Sequence, residues 1–153
     1  MNARSAQHAT FTIERVFAAP IAKVYAAFAT EQGKSRWFAG PGKWEPLERQ
    51  FDFRVGGRER VKGKWTAGDI TDFDCTYRDI VPEQRIVYTY DLYHNGNKLS
   101  VSLATILFKL SGQGTHLSVT EQGVFLDGYD DAGKREQGTR ELLDKLAASL
   151  VDH

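Results

Sequence analysis

Two carboxylates in this chain keep apolar company. Glu121 follows Leu117 and Val119 at alternate positions, and Glu59 precedes Val61 and Trp65 on one side of another alternating stretch. A carboxylate set among apolar side chains costs several kcal/mol unless it is paired or protonated, and burial raises its pKa. A carboxyl tuned in this way can exchange a proton near neutral pH, or fix the polar end of an otherwise apolar molecule. Glu121 and Glu59 are the candidate acid/base residues on these grounds. A strand end, a local twist or an arginine partner would account for either of them without any chemistry.

Other chemistries lack their residues. His8, His94, His116 and His153 fall at no metal-ligand spacing, and no Gly-x-Ser-x-Gly is present. The single cysteine, Cys75, excludes an intramolecular disulfide and a cysteine zinc cluster. Gly57 to Lys64 has one residue too many between its glycines for a phosphate loop, and Trp65 stands where Ser or Thr is required. Asp127, Asp130 and Asp131 look like the start of a calcium loop, but the twelfth position from Asp127 is Gly138 rather than Glu. They read as capping and solvated groups, so neither a metal nor a cofactor is expected.

The 20 Lys and Arg balance 20 Asp and Glu, which leaves no global field to draw in nucleic acid or an anionic membrane. The first ten residues lack the apolar run of a signal peptide, and nowhere do eighteen apolar residues follow one another. A cytoplasmic protein without a membrane span is the expectation. At 153 residues the chain suits one domain that buries roughly 70% of its unfolded surface.

The elements that must hold the two carboxylates follow from periodicity. Phe11 to Ala18 alternates as a first strand, and Pro20 then opens a helix whose Ile21, Val24, Tyr25 and Phe28 fall at helical spacing. Gly33 is expected to break that helix, and Lys34 to Ala39 to form a second short one carrying Trp37 and Phe38, ended by Gly40, Pro41 and Gly42. From Trp44 the period becomes two. Leu47, Phe51, Phe53 and Val55 share a face, with Gly56 and Gly57 as a two-residue hairpin turn. Arg58, Arg60, Lys62 and Lys64 oppose Glu59, Val61 and Trp65. A turn centred near Ala67 sets Lys62 against Asp72 and Arg60 against Asp74, making a charge-matched, solvated face rather than a nucleic-acid patch.

That register pairs Val61 with Phe73 and places Cys75 and Tyr77 beyond them. Between Arg85 and Tyr93, Ile86, Tyr88, Tyr90 and Leu92 form one set and Val87, Thr89 and Asp91 the other, and the turn length leaves open which set points inward. Asn95 and Gly96 signal a hairpin. Leu99, Val101 and Leu103 are odd-numbered whereas Ile106, Phe108 and Leu110 are even, which predicts a bulge near Ala104 or Thr105 and a bent strand. Leu117 and Val119 face Phe108 and Ile106. Asp130 or Asp131 caps a final helix, Arg135 to Val151, with Leu142, Leu143, Leu146, Ala147 and Leu150 on one face. Gly138 within it predicts close contact with the sheet.

Five segments stand out in this order of strand, two helices, six strands and long helix: Arg15 to Pro20 with the helix that follows, Arg36-Trp37-Phe38, Asp52-Phe53-Arg54-Val55-Gly56-Gly57, Val81 to Tyr88, and Thr120 to Phe125. Together they give residues 10–151 a pattern that resembles the helix-grip superfamily of birch-pollen-allergen-like and steroid-transfer lipid-binding proteins. More narrowly, the chain resembles the bacterial relatives of the C-terminal domain of the activator of the heat-shock chaperone ATPase. The resemblance implies a curved antiparallel sheet gripping the C-terminal helix, with an apolar tunnel that in relatives holds lipids, sterols, polyketides or other apolar molecules. Some relatives are cyclases or hydrolases, and some bind protein partners.

The expected fold is α+β: one helix-grip domain over residues 10–151 after a polar tail at 1–9, with about seven strands, two short N-terminal helices and a long C-terminal helix. The expected function is to bind a small, largely apolar molecule between sheet and final helix. Trp37, Phe53, Trp65, Phe73, Tyr77, Tyr88, Tyr90, Leu142 and Leu146 are its expected walls, with Glu121 or Glu59 orienting a polar group. An enzyme of the cyclase, dehydratase or hydrolase kind, using one of those carboxylates as general acid or base, is the alternative. A chaperone-partner domain is a second. The expected partner is the small apolar ligand; a protein partner or a homodimer stays open, and nucleic acid and membrane are not expected.

Overall fold

The structure, a computed structural model, describes residues 4–38 and 44–151. In chain order its elements are β1 (Ala6–Phe17), α1 (Ile21–Ala29), α2 (Glu31–Ser35), β2 (Trp44–Phe51), β3 (Arg58–Trp65), β4 (Ile70–Val81), β5 (Arg85–His94), β6 (Asn97–Ser111), β7 (Gly114–Leu126) and α3 (Ala132–Val151). The seven strands form one antiparallel sheet in the order β1-β7-β6-β5-β4-β3-β2. Strands β2 to β7 neighbour one another in sequence, as short turns dictate. Because β1 pairs with β7, it lies at the opposite edge from β2, and the connection through α1 and α2 crosses the whole sheet. α1 packs on β6, β7 and α3, and α3 packs on β1, so the helices gather on one face in the helix-grip arrangement.

β1 begins at Ala6, earlier than its apolar alternation suggests. Residues 6–10, most of them expected as a polar tail, run from Ala6 opposite Leu126 to Thr10 opposite Gln122. Their backbone groups find partners along β7, and this pairing extends the strand. The helix break falls at Thr30 rather than Gly33. Thr30 is extended, and its Oγ1 accepts the Gly33 N–H at 3.0 Å, which caps α2. Gly33 lies inside α2, where a Cβ would stand 2.5 Å from the Ala26 carbonyl oxygen and 2.9 Å from the Ala27 Cα. Glycine lets the two helices touch. The expected helix over Lys34 to Ala39 is thus displaced to Glu31–Ser35, and its end at Ala39 to Gly42 lies outside the described residues.

The register over β3 and β4 sets Val61 opposite Phe73, Lys62 opposite Asp72 and Arg60 opposite Asp74. Its ion pairs run diagonally, Arg60 to Asp72 and Arg58 to Asp74, each at 2.8 Å. Asn95 and Gly96 both take positive φ in the β5–β6 hairpin. The link from β2 to β3 is wider than a two-residue turn. Asp52 donates to the Arg58 carbonyl and Gly57 to that of Arg54, with Gly56 at φ 83° between them. Leu47 is left unpaired by a register shift between Pro46 and Glu48, and with Val55 in the loop it turns outward, away from the face of Phe51 and Phe53.

β6 has no bulge at Ala104 or Thr105. Its irregularity lies opposite the Leu92/Tyr93 step, and a further one falls between Tyr77 and Asp79; such shifts bend the sheet. From there one phase holds, so Ser100, Ser102, Ala104, Ile106 and Phe108 point inward and Val101 and Leu103 outward, while Leu99 is left unpaired at the irregularity. The core lies beneath α1 and α3. Val24 and Phe28 of α1 and Leu143, Leu146 and Leu150 of α3 pack with Ile13, Ile106, Phe108, Leu117 and Val119. Each such side chain stabilises the fold by roughly 1.5 to 3 kcal/mol on burial.

Candidate functional site

Helix α3 does not close fully on the sheet, and a cavity of about 370 Å³ lies between them. Ligand pockets commonly fall at roughly 300 to 1,000 Å³. Even-numbered residues of β5 face it: Tyr88 pairs with Ala104 and Tyr90 with Ser102, on the inward phase of β6. That resolves the facing of the strand in favour of the tyrosines. Phe73 of β4 and Phe38 beyond α2 continue the wall, with ring centroids 4.8 Å apart for Phe38 and Phe73 and 4.9 Å for Phe73 and Tyr90. Trp65 of β3 and Trp44 of β2 add to it, and Leu142 and Thr139 of α3 form the roof. Gly138 also lines the cavity. A Cβ there would meet nothing within 4 Å, so this glycine opens space rather than permitting the close sheet contact expected of it.

Of the expected wall residues, Trp37, Trp65, Phe73, Tyr88, Tyr90, Glu121 and Leu142 line this cavity. Phe53, Tyr77 and Leu146 do not. Leu146 is fully buried in the core, one turn beyond Leu142 and Leu143, which both line the cavity. Phe53 stacks on Phe51 and meets Tyr77 edge-on at 4.9 Å, outside the lining. The Tyr77 hydroxyl is turned to Glu59.

Glu59 is likewise apart from the cavity. Its carboxylate accepts from the Tyr77 hydroxyl and from Lys34 Nζ, the latter at 2.9 Å, and the Lys34 and Glu59 side chains are only 4% and 1% exposed. The Lys34 ammonium stands 4.5 Å from the Phe38 ring centroid and 5.6 Å from that of Trp37. Both rings line the cavity, so this buried pair braces the wall from behind. Burial pushes the Tyr77 hydroxyl and the Cys75 thiol well above their ordinary pKa. Cys75 is an inert core residue.

The polar groups within the cavity centre on Glu121. Tyr90 donates its hydroxyl proton to Glu121 Oε1, and the Tyr90 oxygen accepts from Arg135 Nη1 at 3.0 Å. Arg135 Nη2 donates to Ser100 Oγ at 2.8 Å and to Asp130 Oδ2 at 2.9 Å. The Thr139 hydroxyl lies 3.2 Å from Glu121 Oε2 and 3.0 Å from the Arg135 carbonyl. The guanidinium also sits 5.2 Å from the Phe125 ring centroid. Burial raises the Glu121 pKa and outweighs the hydrogen bonds from Tyr90 and Thr139 and the nearby charge of Arg135, which lower it. Tyr90 is raised too, by burial first and then by the neighbouring carboxylate.

Arg135, Thr139, Ser100 and Asp130 did not emerge from the sequence as site residues, Asp130 being expected there only as a capping or solvated group. One signal for two of them is spacing, since Arg135 and Thr139 stand seven and three residues before Leu142 on its side of the helix. Ser100 was hidden by the phase of β6. Asp131, at the start of α3, accepts the Lys134 N–H at 2.9 Å, and Asp130 is thereby held beside Arg135. Among the described residues, no group of three or more His, Cys, Asp or Glu is placed to hold a metal, and no helix is long and apolar enough to cross a membrane.

A family model described as Activator of Hsp90 ATPase homolog 1-like protein matches residues 18–150. A solved structure from Rhizobium leguminosarum is 45% identical and superimposes with a TM-score of 0.92 over 97% of this chain and 98% of its own. The Mll3558 protein of Rhizobium loti is 44% identical, with a TM-score of 0.88 over 95% and 99% of the two chains. An AHSA1-like protein from Aeromonas hydrophila, at 20% identity and a TM-score of 0.73 over 92% of this chain and 91% of that one, shares the fold. No curated protein matches the chain.

Proposed function

Because this chain belongs to the Activator of Hsp90 ATPase homolog 1-like family, with one long helix gripped by a sheet, we propose that it binds a small, largely apolar molecule beneath α3. The observation that carries this reading is the 370 Å³ cavity, whose aromatic and aliphatic wall is interrupted by a single buried polar cluster around Glu121. An apolar body with one polar group matches that division. Titration with an uncharged fluorophore, N-phenylnaphthylamine, tests it. Leu142→Trp fills the roof and abolishes binding, while Trp65→Ala and Tyr88→Ala weaken it. Unchanged affinity in all three variants discards the cavity as the site.

One observation favours a second reading. Glu121 lines the cavity with its pKa raised by burial, as a general acid or base of a cyclase, dehydratase or hydrolase requires. Once a ligand is in hand, Glu121→Gln that still binds it but loses turnover supports the enzyme, and retained turnover removes Glu121 from the mechanism. The family description also names a chaperone ATPase, and a change in that ATPase rate on adding the purified protein is the test of a partner role.

A further inference from the structure

Glu121 and Arg135 are the buried charged residues of the cavity lining, and Tyr90 adds a buried hydroxyl. Their hydrogen-bonding capacity is unevenly used. The single Tyr90 proton goes to Glu121, and the Tyr90 oxygen is engaged by Arg135. Both Nη2 protons of Arg135 and one on Nη1 are committed, to Ser100, Asp130 and Tyr90. A carboxylate offers about four acceptor positions. Among the described residues two donors reach Glu121, and one of them, Thr139, shares its only proton with the nearer Arg135 carbonyl. What the cluster has left over at Glu121 is acceptor capacity, centred on Oε2. Charge points the same way, because Arg135 is flanked by both Asp130 and Glu121. With Glu121 ionised, those three groups sum to one negative charge.

We infer that the interior polar end of this cavity takes a head group that donates a hydrogen bond, a hydroxyl or a protonated amine, and disfavours a carboxylate. Tyr90 and Arg135 are positioning residues in this assignment. The Arg135 bond to the Tyr90 oxygen turns the tyrosine proton onto Oε1, and that leaves Oε2 for the ligand. The inference rests on the cavity-binding reading and adds the chemical class of the ligand and its orientation, head inward at Glu121. A carboxylate entering there would meet Glu121 and Asp130, with three of the five Arg135 N–H groups already engaged by Tyr90, Ser100 and Asp130. An acid would therefore bind with its head away from Glu121.

Calorimetric titration at neutral pH with four probes on one ring system tests this: naphthylmethyl alcohol, naphthylmethylamine, naphthoate and ethylnaphthalene. A hydrogen bond to a charged acceptor predicts that the alcohol and the amine bind about tenfold or more tighter than ethylnaphthalene, and that naphthoate binds more weakly than ethylnaphthalene. Glu121→Gln places an amide donor beside the head, so the amine loses its advantage while ethylnaphthalene affinity is kept. Thr139→Val frees Oε2 of its competing hydroxyl, and the advantage of the amine grows. Naphthoate binding as tightly as the alcohol overturns the inference, as does an amine advantage undiminished in Glu121→Gln. Equal affinities for alcohol, amine and ethylnaphthalene overturn it while leaving the cavity reading intact. Absence of binding by all four overturns the cavity reading and the inference with it.

Discussion

Replacing Lys34 with methionine removes one partner of an ion pair that has no water to turn to. The two side chains are 4% and 1% exposed, Nζ lies 2.9 Å from Glu59 Oε1, and Tyr77 is the other donor to that oxygen. Methionine fills the space among Phe28, Trp37 and Phe38 but leaves Glu59 charged and buried. Removing one partner of a buried pair typically costs about 3 to 5 kcal/mol. For a domain of this length such a loss lowers Tm by roughly 6 to 20 °C. The outer-face pair Arg58–Asp74 is the internal control: its side chains are 45% and 30% exposed, and Arg58→Ala costs less than about 1 kcal/mol. Urea unfolding followed by tryptophan fluorescence measures both variants. The double variant Lys34→Met, Glu59→Gln keeps an acceptor for Tyr77 and removes the orphaned charge, so it lies closer to the wild type than Lys34→Met alone. A Lys34→Met protein within about 1 kcal/mol of the wild type would refute the claim that this charge pair is desolvated and coupled.

Glu121 gives the stability a pH dependence of predictable sign. Burial raises its folded-state pKa above the ordinary 4.5, so its contribution is fully present below that value and is lost as pH rises through the folded pKa. The stability of Glu121→Gln relative to the wild type therefore improves as pH rises from about 4.5, and a flat difference across parallel denaturation curves contradicts the raised pKa. Asp74 works in the opposite sense: Arg58 lowers its pKa below 3.8, and its contribution disappears as pH falls through the lowered value. Gly138→Ala gains roughly 0.5 to 1 kcal/mol of helix propensity without a clash, whereas Gly138→Leu keeps the fold and weakens probe binding by entering the cavity. In contrast, a Cβ at Gly63 would lie within 1.9 Å of the Trp44 indole, so Gly63→Ala displaces that ring, shifts tryptophan emission and costs about 1 to 3 kcal/mol in melting experiments.

The pairing of Val61 with Phe73, the outer charge ladder and the apolar stripe of α3 were legible because each rests on local periodicity and one short turn. The polar half of the site was not legible, for a physical reason visible in β6. Hydrophobicity alone assigns Leu99, Val101 and Leu103 to the interior, and a bulge then reconciles them with Ile106 and Phe108. The folded sheet instead leaves Val101 and Leu103 outside, 42% and 36% exposed, and turns Ser100 and Ser102 inward. Small residues are needed where Arg135 enters from α3, a contact between positions 35 residues apart that no window of the sequence contains. Glu59 and Glu121 were alike in pattern, each a carboxylate on an apolar strand face. What separates them is a partner from elsewhere in the chain. Lys34, reaching from α2, closes Glu59 into a brace, while Glu121 meets a tyrosine and a threonine and borders open space. Gly138 shows the same limit, since the cost of a glycine inside a helix points to close contact with the sheet and only the packing says that the sheet is not there to meet it.

The most direct test of a ligand site beneath α3 is an amide-resolved NMR titration with naphthylmethyl alcohol. Saturating shifts that map to Phe73, Tyr88, Tyr90, Glu121 and Thr139 through Leu142, with the outer-face positions Val101 and Leu103 unmoved, are the predicted result. Shifts confined to the outer face of the sheet, or none at all, would contradict it.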